Sequence, residues 1–283
     1  MSDTNTAPSS MEAEYNNRAR VPDHQDIIDS WQKQSSDWRA ASASAELDIP
    51  YGTSARQQVD IFHPVNNKAG PIVMFIHGGY WQALGRESFS HMARGANLNG
   101  LTVAVPSYDL CPTVSVSDII RQMQECCLFL WQRYRRRIVV CGHSAGGHLA
   151  ACMMATDWRS IDPNTPPLLA AGALPISGLF ELEPLVSTSI NDGLNLTVDT
   201  ARAASPALWA PPSGLKMVVA VGGDESSEYL RQANQFAHSW HKQGVAALAR
   251  ILKGENHFTV ISSLAEENGV LTKTLTGLAS TAT

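Results

Sequence analysis

The chain predicts an α/β fold, with one mostly parallel sheet and helices on both of its faces. Three observations carry that prediction. Short runs such as Pro71–Ile76, Leu101–Val105 and Arg137–Cys141 are almost purely apolar, as strands buried on both faces must be. Segments of helical length and pattern separate them, which is the signature of β–α alternation. Gly, Pro and Asn clusters mark the joints, and no internal repeat or low-complexity tract interrupts the series.

Taken in order, residues 1–10 are rich in Ser, Thr and Asn and predict a disordered start. Met11–Arg39 is polar with scattered apolar residues and reads as helical or irregular structure laid over the core. Residues 1–45 are therefore set apart as an N-terminal segment able to cap an active site, and residues 46–283 as the catalytic domain. Val59–Phe62 is a short strand ended by Pro64, and 66–70 is a turn before the strand 71–76. Residues 86–99 predict one helix, and 101–105 the next strand. Ser117 is the expected N-cap of a helix running to Arg135. The strand 137–141, a helix over 146–156, strands over 168–176 and 215–221, a helix over 226–243 and a last strand at 246–252 follow. A helical stretch from Val260 closes the chain.

Composition narrows the function. Net charge is -5 across 283 residues, without the basic excess of a nucleic-acid surface. The cluster Arg135–Arg137 reads as a solvated helix end, where cations favour the C-terminal dipole. No window is long and apolar enough to span a bilayer, and the N-terminus lacks the pattern of a signal peptide. The five cysteines show no CxxC spacing and read as buried thiols in a reducing compartment, which places the protein in the cytoplasm.

Gly142-His143-Ser144-Ala145-Gly146 is a G-x-S-x-G motif. An apolar strand ends just before it and a small-residue helix begins just after, the context in which such a serine projects from a sharp turn as a nucleophile. Ser144 is the expected nucleophile. A nucleophile of this kind needs backbone N–H donors for the developing oxyanion. Ala145 supplies one, and the glycines of His77-Gly78-Gly79-Tyr80-Trp81, after strand 71–76, supply the others. His77 is read as structural, holding that loop.

The base follows from elimination among nine histidines. His24, His63, His77 and His91 precede the motif. His143 and His148 lie too near Ser144 on the elbow and its helix, and His238 and His241 sit on a helix face without acidic or Cys companions. His257, in the loop after the last strand, remains as general base. The acid belongs after strand 215–221, where Asp224 and Glu225 stand side by side. Residue type favours Asp224, whereas a position three residues beyond Gly222 favours Glu225. Glu225 is taken as the acid, with Asp224 as a helix N-cap.

HGGYW at 77–81 and GHSAGGH at 142–148 resemble the arylformamidase (kynurenine formamidase) and related carboxylesterase branch of the α/β-hydrolase superfamily. Ser177–Leu185, Gly222–Gln232, Glu255–Phe258 and Glu14-Tyr15-Asn16-Asn17-Arg18 resemble it too, so the likeness spans nearly the whole chain. It implies an α/β-hydrolase fold and a Ser144–His257–acid triad with oxyanion donors at Gly78, Gly79 and Ala145. The acid position aligns with Glu225, where the family often has Asp. Tyr80 replaces the third glycine of a lipase-type HGGG, and with Trp81 it is expected to narrow the substrate pocket.

The implied activity is hydrolysis of a small acyl ester or an N-formyl arylamide through an acyl-enzyme. No metal or organic cofactor is called for. The expected partner is a small, aromatic substrate rather than nucleic acid or membrane, and a homodimer is left open. The alternative is a non-catalytic ligand-binding protein of the same fold. Such proteins usually lose a triad member, whereas here Ser, acid and His all occur in order.

Overall fold

A computed structural model of the protein describes residues 10–66 and 70–282. The expected disorder of residues 1–10 falls almost wholly outside these, as does most of the expected turn at 66–70. Eight strands form one sheet in the order β1-β2-β4-β3-β5-β6-β7-β8. They are Ala45–Pro50 (β1), Gln58–Phe62 (β2), Ile72–Ile76 (β3), Val103–Pro106 (β4), Ile138–His143 (β5), Ala170–Ile176 (β6), Lys216–Gly222 (β7) and Ala246–Leu252 (β8). β1 and β2 pair antiparallel, β2 joins β4 antiparallel, and the rest run parallel.

The apolar runs are explained by burial on both faces. In β3, Ile72, Met74 and Ile76 enter one core, and Val73 and Phe75 the other. β5 and β7 divide their side chains the same way, with Val140 and Val219 on one face and Cys141 and Ala220 on the opposite one, as the two-residue period of a strand dictates. All five cysteines are buried and free. Among the described residues no helix is long and apolar enough to cross a membrane.

The helices are Ser10–Tyr15 (α1), Asn17–Arg20 (α2), His24–Ala41 (α3), Arg94–Leu98 (α4), Val116–Tyr134 (α5), Ala145–Ala155 (α6), Trp158–Ile161 (α7), Asn191–Leu194 (α8), Val198–Ala203 (α9), Ser227–Lys242 (α10) and Val270–Thr281 (α11). α6 is buried almost all round, so it is small-residue rich and lies directly on the sheet. A Cβ on Gly146 would sit 2.0 Å from the Ile76 carbonyl oxygen, closer than any side chain allows.

Three local expectations are corrected. The predicted helix 86–99 is two 3-10 turns, Arg86–Ser88 and Ser90–Ala93, leading into the short α4. Its Phe89, Met92 and Ala93 are buried in the core shared with α11, and that packing overrides regular helix. β1 was not foreseen, because an edge strand with a mixed burial pattern and a terminal proline shows no clean period.

The third concerns the cap of α5. Ser115, not Ser117, caps it: Ser115 Oγ accepts from Asp118 N at 3.1 Å while Asp118 Oδ2 accepts from Ser115 N at 2.9 Å. This reciprocal capping box satisfies two otherwise orphaned amides. Ser115→Ala is therefore expected to lower stability by about 1 kcal/mol, and Ser117→Ala by less than about 0.5 kcal/mol, read from denaturant unfolding midpoints.

The N-terminal helices are bolted to the sheet. Arg39 of α3 and Arg86 both pair with the fully buried Asp60 of β2, Arg86 Nε at 3.1 Å. Glu14 of α1 accepts from Ser227 Oγ at 2.8 Å and Glu228 N at 2.9 Å, capping the start of α10 from across the chain.

Candidate active site

Ser144 stands between β5 and α6 with φ 56° and ψ -118°. A non-glycine residue in that region is strained by roughly 1–3 kcal/mol and is held only by its surroundings. Here Ser144 N donates to Ile176 O at 2.8 Å and His148 N donates to Ser144 O at 3.0 Å. The strand–turn–helix therefore fixes the backbone and turns the side chain out of the sheet.

The carboxylate beside His257 belongs to Glu225. Its Oε2 lies 2.6 Å from His257 Nδ1. Its Oε1 accepts from Gly222 N at 2.7 Å and from the Ser177 hydroxyl. Both side chains are nearly fully buried. Nδ1 must carry the hydrogen to meet a carboxylate, which leaves Nε2 with its lone pair. Asp224 is exposed and makes its contact through its backbone, N to Glu255 O at 3.0 Å. Nor does Asp224 cap α10, as expected of it. Ser226 does, accepting from Tyr229 N at 3.4 Å. The turn after β7 directs Asp224 outward and Glu225 inward.

The loop after β3 packs under the elbow. A Cβ on Gly78 would lie 2.8 Å from His143 O and 3.1 Å from Ser144 Cβ, and Gly79 has φ +108°. Among the described residues, the amides of Gly78, Gly79 and Ala145 donate to no protein acceptor. His77 Nδ1 donates to Gly78 O at 2.7 Å, and its ring stacks 4.2 Å from Tyr108. Burial pushes the His77 imidazole down to about 3, so it is a neutral strut. His143 Nε2 donates to His257 O at 2.8 Å. Burial holds His143 well below the ordinary histidine range, so it positions the His257 loop without adding charge.

Ser144 and His257 line one cavity of about 370 Å³. Tyr80 and Gly79 line it as well, but Trp81 does not. Trp81 is fully buried in the core, its ring edge-on to His148 at 5.1 Å. Positive φ at both residues, 51° and 57°, turns the chain so that the two rings part company, and the larger indole takes the apolar side. Sequence reasoning missed most of the other walls. Trp31, Phe89 and Phe258 supply aromatic surface, and Asn17 and Arg18 supply polar surface. Ser177 was also unforeseen as a partner of Glu225. The only trace of it was the Ser-Gly pair just after β6. Among the described residues no group of three or more His, Cys, Asp or Glu is placed to hold a metal ion.

Comparison with known proteins finds likenesses along most of the chain. The BD-FAE family model matches residues 59–172. A kynurenine formamidase from Danio rerio is 30% identical, the match covering 84% of this chain and 83% of that one. A kynurenine formamidase from Salmo salar is likewise 30% identical, over 82% and 81%. Among solved structures, a suspected thioesterase from Silicibacter sp. tm1040 superposes with TM-score 0.83 at 33% identity, covering 94% of this chain and 99% of that one. An esterase from Pyrobaculum calidifontis superposes with TM-score 0.70 over 91% and 93%, and at 20% identity that likeness speaks to fold alone.

Proposed function

Because the chain belongs to the kynurenine formamidase family of α/β-hydrolases, we propose that it is a serine hydrolase cleaving a small acyl ester or N-formyl arylamide through an acyl-enzyme. The observation that carries the reading is the buried pair Glu225–His257, joined at 2.6 Å, with His257 and Ser144 on the wall of one cavity. A carboxylate so placed orients the imidazole and stabilises its protonated form without taking the proton.

His257 Nε2 takes the Ser144 proton as Oγ bonds to the substrate carbonyl carbon. The carbonyl oxygen gains the charge, and the amides of Gly78, Gly79 and Ala145 meet it. Donors of this kind contribute about 2.7–4 kcal/mol each in related chemistry. His257 then hands the proton to the leaving oxygen or nitrogen, the C–O or C–N bond breaks, and the acyl group stays on Ser144. Water gives a proton to His257 as its oxygen attacks the acyl carbon. Collapse returns that proton to Ser144 Oγ and frees the acid.

The walls fit an aromatic leaving group. Trp31, Tyr80, Phe89 and Phe258 surround the space in front of Ser144, and flat rings bury well against such faces. A panel of N-formylkynurenine and short p-nitrophenyl esters tests the reading. A phenolate departs readily, so the esters are expected to show a burst of p-nitrophenol equal to the enzyme concentration, followed by slower turnover. The formamide is expected to turn over without a burst, because its nitrogen must be protonated to leave. Failure to cleave either class would sink the proposal.

A further inference from the structure

A hydrogen-bonded relay joins the N-terminal segment to the pocket, and a backbone carbonyl sets its direction. Tyr80 Oη lies 2.6 Å from the backbone carbonyl oxygen of Tyr15. A carbonyl can only accept, so the Tyr80 proton is committed to it. The contact between Tyr80 and Tyr229 hydroxyls, at 2.8 Å, then runs from Tyr229 to Tyr80, with the Ser144 side chain as a further hydrogen-bond partner of Tyr229. The Tyr229 oxygen accepts in turn from the Asn17 amide at 3.0 Å. The same Asn17 nitrogen also approaches Tyr80 Oη at 3.3 Å. Burial raises both tyrosines far above their ordinary range, so both stay protonated and the order of donors holds at any working pH.

This order decides which end of the Asn17 amide faces where. Its NH2 group is locked onto two tyrosine hydroxyls, so Oδ1 is turned the other way. Asn17 is 5% exposed and lines the cavity that holds Ser144 and His257. Among the described residues Oδ1 has no hydrogen-bond partner, yet it is not among the fully enclosed polar atoms. An acceptor without a protein partner, on a residue that lines a site rich in aromatic rings, is suited to meet a donor hydrogen on a ligand.

We infer that Asn17 is a specificity-determining residue whose Oδ1 accepts a hydrogen bond from the N–H of an arylamide substrate. The inference rests on the hydrolase reading above and deepens it, because it favours substrates that carry an N–H at the leaving group over esters, which have none. An ester of the same aryl group leaves Oδ1 unpaired in a site closed by substrate. An unmet buried acceptor of that kind is worth about tenfold in discrimination.

The test compares an N-formyl arylamine with the formate ester of the matching phenol, on wild type and on Asn17→Ala. The quantity read is the ratio of kcat/KM for the two substrates. It is insensitive to the folded fraction and to any general change in Ser144 reactivity. The expected result is a fall of about tenfold in the amide-to-ester ratio, with the ester rate changed far less. An unchanged ratio overturns the inference, whether both rates fall together or stay put, and so does the loss of both activities in Asn17→Ala. So does a wild type that cleaves the ester and not the amide. Failure of the hydrolase reading looks different: wild type cleaves neither substrate, or Ser144→Ala remains active.

Discussion

Ser144→Ala is expected to lower kcat on the best substrate by roughly 10⁵- to 10⁶-fold and to abolish labelling by a fluorophosphonate probe. In the proposed mechanism the nucleophile and its base act as one unit, so losing the hydroxyl would remove the covalent route outright, not a fraction of it. What would remain is the contribution proposed for the amides at Gly78, Gly79 and Ala145 and that of substrate binding, which in related enzymes still exceeds the reaction in water. The backbone bonds that hold the elbow run through Ser144 N and O and stay in place without the hydroxyl. The variant should therefore fold and melt as wild type does. Labelling that survives the substitution, or a wild type that never labels, would return the chain to the class of ligand-binding proteins on a hydrolase fold.

Glu225→Gln is expected to lower kcat by about 10⁴-fold, while Asp224→Asn leaves it within about twofold. The geometry explains the size of the first effect. Gly222 N and the Ser177 hydroxyl both donate to Oε1, so the oxygen of a glutamine must occupy that position. Its NH2 group would then face His257 Nδ1. That nitrogen could no longer carry the hydrogen, which would move to Nε2, the atom that accepts the Ser144 proton in the proposed mechanism. Asp224 is exposed and touches the site only through its backbone. Steady-state kinetics with circular dichroism on both variants separates the two carboxylates. A collapse of activity in Asp224→Asn with Glu225→Gln intact would reverse the assignment.

The choice between those neighbours marks the boundary of what a sequence carries. Local chemistry was legible in it. The apolar runs of β3, β5 and β7 announce a sheet covered on both faces, and the strand before Gly142 with the small-residue helix after it announces a sharp turn at Ser144. Both signals live within a few residues, where spacing and residue type determine backbone shape. His257 emerged by elimination, because its loop follows the last strand.

Tertiary structure decided the rest, because side-chain direction at a turn and contacts across the chain have no local signature. Asp224 and Glu225 differ in which way the turn after β7 points them, and that is set by Gly222, Ser177 and Glu255 closing around it. Trp81 follows the same rule: the sequence beside it reads as pocket, but two positive φ angles send the indole into the core. The helix expected over 86–99 yielded to packing against α11. The EYNNR run was visible as a motif, but its meaning was not. Tyr15 meets Glu228, and Asn17 meets Tyr229, across 213 and 212 positions of chain. Only closure of the whole fold brings those residues together at the wall of the site that Ser144 and His257 share.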